Sequence, residues 1–286
     1  MKNKIIFLLF VSLVSYSKNL AKLDKYMHKW LKKNDAVLLF NYRNGKILYE
    51  YHPYMFEKKI QIGSIFKIIT TFLYLKKFKK TNYTYNCIPN KDKDLFCWNK
   101  KGHGRVNLDK AFIYSCNKFY YSLDLNVREL TETANYLGLK LNFNPDYLNS
   151  YRKKLIKAGN SHFIKANFYE LSKLLSVFAT SGYLMDIKTN KKYYIKEKNI
   201  IKKIRKLMEL TVKYGTAQKT HYKNYNLSGK TGTAKNEFSQ LIGIFTGFTT
   251  KKDYAIIVLL NNNIGAAASM IAGDVIYLYD KENHEE

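Results

Sequence analysis

Ile62-Gly63-Ser64-Ile65-Phe66-Lys67-Ile68-Ile69-Thr70 is the stretch that decides the fold, because it places a serine three residues before a lysine where an apolar helical run begins. At this spacing a helix brings the two side chains one turn apart on the same face. The lysine can then act as base for the serine, provided that desolvation or a neighbouring positive charge lowers its pKa. In a lysine-rich chain the pair alone is weak evidence, since Ser64 also suits the N-terminus of an ordinary helix.

Two later stretches strengthen this interpretation. Ser115-Cys116-Asn117 supplies a hydroxyl and an amide two residues apart. Leu227-Ser228-Gly229-Lys230-Thr231-Gly232-Thr233-Ala234 predicts a strand with glycines where another backbone approaches closely. Ser-x-x-Lys, Ser-x-Asn and Lys-Thr-Gly, in this order, resemble the motif set of the penicillin-recognising serine acyl transferases.

The resemblance extends over about residues 35–280 and is to the transpeptidase domain of class B penicillin-binding proteins. It includes the residues around Phe96-Cys97-Trp98 and Gly102-His103-Gly104, the segment from Glu170 to Leu184, and Tyr214-Gly215-Thr216-Ala217. Two departures stand out. Ile62-Gly63-Ser64 replaces the usual Pro-Gly-Ser, and the large amino-terminal pedestal domain of that class has no counterpart in the sequence.

The resemblance implies a serine acyl-enzyme mechanism. Ser64 would be the nucleophile, Lys67 its base and Ser115 the relay that passes the proton to the leaving amine. The backbone N–H groups of Ser64 and Thr233 would form the oxyanion hole. The implied substrate-binding residues are Asn117, Lys230, Thr231, Gly232 and Thr233.

The implied activity is that of a peptidoglycan D,D-transpeptidase, whose substrates are stem peptides ending in D-Ala-D-Ala and whose serine is also acylated by beta-lactams. A D,D-carboxypeptidase is one alternative, and a non-turnover beta-lactam-binding or scaffold module is another. A class D-like beta-lactamase is disfavoured because that class has an aliphatic residue where Asn117 stands. A class A enzyme needs a glutamate poised for deacylation, whereas Glu170 lies in an apolar helical run.

The chain is strongly cationic, with a formal net charge of +27 from 49 lysines and arginines against 22 acidic residues. The lysines are spread along the chain instead of being clustered, which argues against a nucleic-acid partner. Attraction to an anionic membrane or wall surface is favoured. Cell-wall assembly proteins are further candidate partners, and no cofactor is expected.

Residues 1–17 predict an export signal, with Lys2 and Lys4 before an apolar run and small residues at Ser15-Tyr16-Ser17. Whether cleaved or kept as an anchor, it places the protein in the periplasm or on the outer face of the cytoplasmic membrane. Residues 18–286 are expected to form one transpeptidase-like domain. An α/β lobe would take about residues 20–80 and 220–286, and a helical lobe about residues 81–219.

The order of apolar patterns predicts an α+β fold. A first helix would be followed by two strands, then by a helix over 64–78 with its apolar face toward those strands. Residues 81–107 and 142–160 show no period and are predicted to be irregular. Three strands and a closing helix end the chain. The resemblance implies that the five strands form one antiparallel sheet flanked by helices, with a helical lobe opposite. The predicted strands are 36–42, 47–51, 226–235, 241–249 and 253–261.

Cys87, Cys97 and Cys116 are the only cysteines. In an exported protein Cys87 and Cys97 could close a short loop as a disulfide. The rival interpretation is a zinc site of these two cysteines with His103. Neither spacing fits a recurring zinc pattern, so the sequence favours no metal. A disulfide between Cys87 and Cys97 would leave Cys116 as the remaining cysteine, beside the active-site serine motif. His103, between two glycines, is expected to be structural and not a general base.

Overall fold

The computed structural model of the protein describes residues 20–78, 82–89, 95–221 and 225–284. The predicted export signal at residues 1–17 lies outside this part of the chain. Within the part that is described, no helix is both long enough and apolar enough to cross a lipid bilayer.

A five-stranded antiparallel sheet forms the centre of the molecule. The strands are β1 Ala36–Asn41, β2 Ile47–Tyr51, β3 Ile60–Gln61, β4 Thr84–Cys87, β5 Gly104–Asn107, β6 Lys165–Ala166, β7 Tyr183–Asp186, β8 Lys191–Tyr194, β9 Leu227–Lys235, β10 Leu241–Thr249 and β11 Tyr254–Asn261. The order in the central sheet is β2-β1-β11-β10-β9. All four pairings in it are antiparallel. Because β1 pairs with β11, strands from both ends of the chain meet in one sheet.

Helices cover both faces of this sheet. They are α1 Ala21–Trp30, α2 Lys67–Lys77, α3 Leu108–Ile113, α4 Asn117–Ser122, α5 Val127–Tyr136, α6 Ser150–Lys157, α7 Phe168–Ala179, α8 Lys198–Tyr214 and α9 Gly265–His284. Because side chains alternate along a strand, Val37 and Leu39 of β1 pack in one cluster with residues of α1 and α9. Leu38 and Phe40 point the other way, into the larger core that holds α2, α7 and α8. Burying one such side chain contributes about 1.5–3 kcal/mol.

The α+β class and the five-stranded antiparallel sheet are confirmed, and the five predicted strands match β1, β2, β9, β10 and β11 within one or two residues. The prediction of irregular structure was wrong in two places. Within residues 81–107, β4 pairs with β5 as a hairpin, and within 142–160 the chain forms α6, whose N-terminus is capped by Asn149. Both elements are short and polar, so a periodicity search does not detect them.

The helix that carries the first motif packs differently from the prediction. Every residue from Lys67 to Tyr74 is buried, and α2 packs mainly against α3, α5 and α8. It therefore has no single apolar face turned toward the sheet. The central position of α2 explains why even a lysine of this helix is fully enclosed.

Candidate active site

Ser64 lies in a 3-10 turn, Gly63–Phe66, that leads directly into α2. Lys67 is the first residue of that helix. The tight turn brings Lys67 Nζ to 2.8 Å from Ser64 Oγ. Ser64 is half-buried and so remains within reach of a ligand, whereas the lysine behind it is not exposed at all.

The Ser115-Cys116-Asn117 segment meets Lys67 from the break between α3 and α4. Ser115 has a φ of +54°, a left-handed conformation that few serines adopt, and this turns the segment toward α2. Lys67 Nζ donates to Asn117 Oδ1 at 2.6 Å and to the carbonyl oxygen of Ser115 at 3.0 Å. The Ser115 hydroxyl is also 3.0 Å from the same nitrogen. Two distant segments are thus joined at one amine.

Lys230 of β9 approaches the same hydroxyl from the sheet. Its Nζ is 3.2 Å from Ser115 Oγ, so this oxygen lies between the two amines. Lys67 and Lys230 are both 0% exposed. Among the described residues, no carboxylate forms an ion pair with either of them, which leaves the two positive charges without acidic partners.

This environment lowers the pKa of both amines. Burial, which penalises the ammonium form, lowers the pKa of Lys67 to about 7. Burial, together with the charge of Lys67, lowers the pKa of Lys230 well below its ordinary value. Near neutral pH the pair therefore does not hold two full charges, and an uncharged amine becomes available next to Ser64.

The strand with the third motif forms an edge of the sheet. β9 pairs with β10 on one side and lies at the end of the strand order. The serine turn runs close to it, because a Cβ added at Gly232 would be 2.3 Å from the Ile62 carbonyl oxygen. A Cβ added at Gly63 would be 2.5 Å from the Thr233 carbonyl oxygen. Glycine at both positions thus allows the turn to lie against the strand.

The two threonines of the motif make different contacts. Thr231 is buried, and its hydroxyl is 2.5 Å from the hydroxyl of Thr216. Thr233 is exposed, and its hydroxyl accepts the N–H of Gly265, the first residue of α9, at 3.0 Å. Thr216 is a neighbour of the site that no motif singled out, although it lies in the Tyr214-Gly215-Thr216-Ala217 segment of the family resemblance.

Glu170 has a structural role in the described contacts. With Asn167 it forms a capping box at the start of α7, and its carboxylate pairs with Lys59 at 2.5 Å. Among the described residues no carboxylate is hydrogen-bonded to Ser64 or Lys67. Glu170 therefore lacks the position of a deacylating base.

A second cluster lies beside this site. Cys87, Cys97, His103 and Cys116 each present one sulfur or ring nitrogen, and these four atoms lie within 4.8 Å of one another. None of the three cysteines is in a disulfide, so the Cys87–Cys97 bridge is not formed. The sequence pattern favoured no metal on the basis of Cys87, Cys97 and His103, and the structure adds Cys116 to this group as a fourth side chain. His103 contacts these sulfurs and not the serine.

Comparison with known families gives the class of the protein. The profile of the penicillin binding protein transpeptidase domain matches residues 32–277, which is most of the chain. The chain therefore belongs to this family, whose fold its central sheet and helices share. A comparison with curated protein sequences finds no significant match.

Solved structures of the same fold cover nearly the whole chain. PBP2 of Helicobacter pylori, in its complex with MreC, is 19% identical with a TM-score of 0.76, over 92% of this chain and 62% of that one. The D,D-transpeptidase domain of a peptidoglycan glycosyltransferase from Eggerthella lenta is 15% identical with a TM-score of 0.73, over 92% and 82%. PBP2 of Pseudomonas aeruginosa is 16% identical with a TM-score of 0.72, over 94% and 77%. The chain thus spans less than two thirds of the Helicobacter pylori protein.

Proposed function

We propose that the protein is a peptidoglycan D,D-transpeptidase that works through an acyl-enzyme on Ser64 and that penicillins acylate the same serine. The observation that carries this proposal is the 2.8 Å contact between Ser64 Oγ and the buried Nζ of Lys67. Membership of the penicillin-binding transpeptidase family supports the general role, and the local geometry supports the serine mechanism.

In the acylation step the uncharged amine of Lys67 accepts the proton of the Ser64 hydroxyl. The oxygen attacks the carbonyl carbon between the two terminal D-alanines, and a C–O bond forms. Ser115 Oγ, in contact with both lysines, donates its proton to the leaving nitrogen and receives the proton held by Lys67, and the C–N bond breaks. The last D-alanine leaves, and its peptide partner stays as an ester on Ser64.

The second step transfers the acyl group to an amine of a neighbouring stem peptide. The amine attacks the ester carbonyl, a new amide bond forms, and the Ser64 oxygen recovers a proton through Lys67. If water attacks instead, the same intermediate gives a shortened peptide. The acceptor therefore decides between a transpeptidase and a carboxypeptidase.

The edge of β9 supplies the binding surface in this proposal. An extended peptide can add to an edge strand through main-chain hydrogen bonds, which would lay its scissile carbonyl beside the Ser64 turn. Thr231, Gly232 and Thr233 would line this strand, and Asn117 would hold a substrate amide. The N–H groups of Ser64 and Thr233 would face the developing oxyanion, where one donor is worth roughly 3–4 kcal/mol.

Labelling with a fluorescent penicillin tests the serine. The wild-type protein should be labelled, and Ser64→Ala should abolish labelling. Ser228→Ala, which removes a buried hydroxyl of β9, is the matched control and should leave labelling intact. Absence of wild-type labelling would contradict the proposed acylation and leave a scaffold role.

The fate of the acyl-enzyme separates the enzymatic alternatives. Mass spectrometry over hours should show a stable penicilloyl adduct, whereas rapid turnover of a chromogenic cephalosporin would indicate a beta-lactamase. Release of D-alanine should be measured with and without an acceptor amine. Product joined to the amine supports a transpeptidase, and free shortened peptide alone supports a carboxypeptidase.

The location and partners follow from the proposed activity. The predicted signal at residues 1–17 would export the chain to the periplasm or to the outer face of the cytoplasmic membrane, where peptidoglycan is made. The Helicobacter pylori relative is found in a complex with MreC, so a cell-wall assembly protein of this kind is the partner we propose. Cell fractionation with an epitope-tagged chain tests the location, and recovery in the cytoplasm would contradict it.

A further inference from the structure

Four metal-binding side chains converge from separate parts of the chain beside the candidate active site. Cys87 ends β4, and His103 directly precedes β5, with which β4 pairs. Cys97 lies in the connection between these strands. Cys116 directly precedes α4, between Ser115 and Asn117. Sequence spacing does not show this group, because its members are separated by nine, five and twelve intervening residues.

The geometry suits one tetrahedral ion. The four ligand atoms lie within 4.8 Å of one another, and His103 Nδ1 is 3.3 Å from Cys97 Sγ and 3.6 Å from Cys87 Sγ. With Zn–S bonds of about 2.3 Å and Zn–N bonds of about 2.0–2.1 Å, tetrahedral ligands lie roughly 3.3–3.8 Å apart. A small contraction therefore closes the site around a zinc ion.

The surroundings of the sulfurs are those of thiolate ligands. Cys87, Cys97 and Cys116 are at most 1% exposed. The backbone N–H groups of His103, Asn117 and Phe119 face Cys87, Cys97 and Cys116 respectively, and each favours the thiolate form. Such donors stabilise the charge of a thiolate and orient the ligand. His103 Nε2 has no hydrogen-bond partner within the described structure, so the ring is oriented by its Nδ1 contacts with two sulfurs and by the edge of Trp98.

We propose that Cys87, Cys97, His103 and Cys116 bind one zinc ion in a closed site that serves the fold. Three thiolates and one imidazole are a set that favours zinc over magnesium or calcium, which prefer oxygen ligands. Four protein ligands leave no open position for a substrate, which is the pattern of a structural ion. The ion also supplies the positive charge that three buried thiolates need.

The ion would fasten the wall of the active site. Asn117 Nδ2 donates to the carbonyl oxygen of Phe96 at 3.3 Å, and Asn117 Oδ1 accepts from Lys67. Cys97 is the chain neighbour of Phe96, and Cys116 is the chain neighbour of Asn117. A metal bonded to both cysteines therefore holds the two residues of this hydrogen bond in place. The ion thereby acts on the Ser-x-Asn loop by positioning, without touching the reacting atoms.

The binding test uses the full chain and does not depend on the proposed enzymatic function. The purified wild-type protein should contain one zinc per chain by mass spectrometry of metals. After chelation, Co²⁺ should restore a tetrahedral visible spectrum and a thiolate-to-metal charge-transfer band with the intensity of three thiolates. Zinc at background level, or a Co²⁺ spectrum without that band, would overturn the proposal.

A matched pair of histidine variants identifies the fourth ligand. His103→Gln should lower the metal content or change the Co²⁺ spectrum, whereas His162→Gln, at an exposed position, should do neither. An unchanged stoichiometry and spectrum in His103→Gln would contradict the assignment. If the variant does not fold, the wild-type Co²⁺ spectrum still decides the matter.

The competing disulfide gives a further readout. The metal-loaded chain should resist oxidation by oxidised glutathione. The chelated chain should lose two hydrogens as Cys87 and Cys97 join, with the glutathione disulfide reduced to two thiols. Wild-type protein recovered from its native compartment with this bridge and without metal would overturn the proposal. Melting temperature should fall on chelation and recover with zinc.

Discussion

At the scale of single residues, the unusual feature is a pair of enclosed lysines around one serine hydroxyl. Lys67 and Lys230 both contact Ser115 Oγ, and neither has a carboxylate partner among the described residues. Enclosure favours the uncharged amine, and proximity makes two charges costly. The chemistry proposed for Ser64 depends on this environment, because it keeps one of the two amines uncharged near neutral pH.

The first prediction concerns pH. Since the base must be uncharged, the rate of penicillin acylation should rise with pH through about 7, the pKa to which burial lowers Lys67. Lys230→Gln removes the second amine of the pair, so that Lys67 no longer competes with it for a proton. The midpoint of the rise should therefore move to higher pH.

The measurement is the labelling rate of each variant over a series of buffers. Lys235→Gln, at the exposed end of the same strand, is the control and should keep the wild-type midpoint. Equal midpoints in wild type and Lys230→Gln would show that the two amines are not coupled.

The second prediction concerns stability. In the unfolded chain Lys67 recovers its ordinary pKa, so between about pH 7 and 10 the unfolded state binds more protons than the folded state. The free energy of unfolding should therefore rise with pH across this window and change little below it from this cause. The gain is roughly 2–4 kcal/mol.

Lys67→Met removes the enclosed charge at the cost of some hydrogen bonds. This variant should lose acylation, gain a few degrees in melting temperature at neutral pH, and show a weaker rise of stability above pH 7. Chemical denaturation at a series of pH values checks this. A rise as steep as that of the wild type would assign the effect to other groups.

At the scale of elements, the site depends on the contact between the serine turn and the edge strand β9. Gly232 faces the Ile62 carbonyl so closely that any side chain would push the two apart. Because reacting groups must be held to within a fraction of an ångström, a small displacement reduces the rate strongly.

The third prediction follows from this contact. Gly232→Ala should lower the acylation rate at least about ten-fold while the far-ultraviolet circular dichroism remains that of the wild type. Ser228→Ala on the same strand should leave the rate unchanged. Labelling of Gly232→Ala at the wild-type rate would show that the spacing of turn and strand is not limiting.

The elements of the central sheet could be predicted because their apolar patterns are long. The strands at 36–42 and 241–249 are rich in large apolar residues, which indicates buried strands. The β7–β8 hairpin was missed because all four residues of β8 are exposed, so its pairing is local and leaves no apolar signal. The first strand of this hairpin packs against α7, a contact between elements that the sequence pattern does not reveal.

The candidate site also has one part that could be predicted from the sequence and one part that could not. Ser64 and Lys67 are related by helix geometry, so their contact follows from a spacing of three. The convergence of Cys116 with Cys87, Cys97 and His103 depends on how a hairpin docks on a helix end. No local rule relates these residues, so the cluster becomes visible only in the folded chain.

At the scale of the whole molecule, charge is the dominant property. With a formal net charge of +27, the protein carries far more cations than its acidic residues can pair. Observed ion pairs such as Lys77–Glu129 and Arg128–Asp146 are exposed and contribute little to stability. The excess is available to an anionic surface.

The fourth prediction is that the protein binds vesicles with anionic lipid and does not bind vesicles of zwitterionic lipid alone. Binding should weaken steeply as salt is raised, because the attraction is screened over about 10 Å at 0.1 M. Co-sedimentation measures this. Binding that is equal for both vesicle types, or insensitive to salt, would show that charge is not the cause.

The closeness of the serine turn to β9 has a further consequence for self-association. An unpaired strand at the rim of a sheet normally invites a second copy to dock and extend it into a fibril. Here the residues from Ile62 to Gly63 lie against that rim at Gly232 and Thr233 and cover this part of it. The turn that carries Ser64 thus also hinders a second copy of the protein from pairing with this part of the open edge.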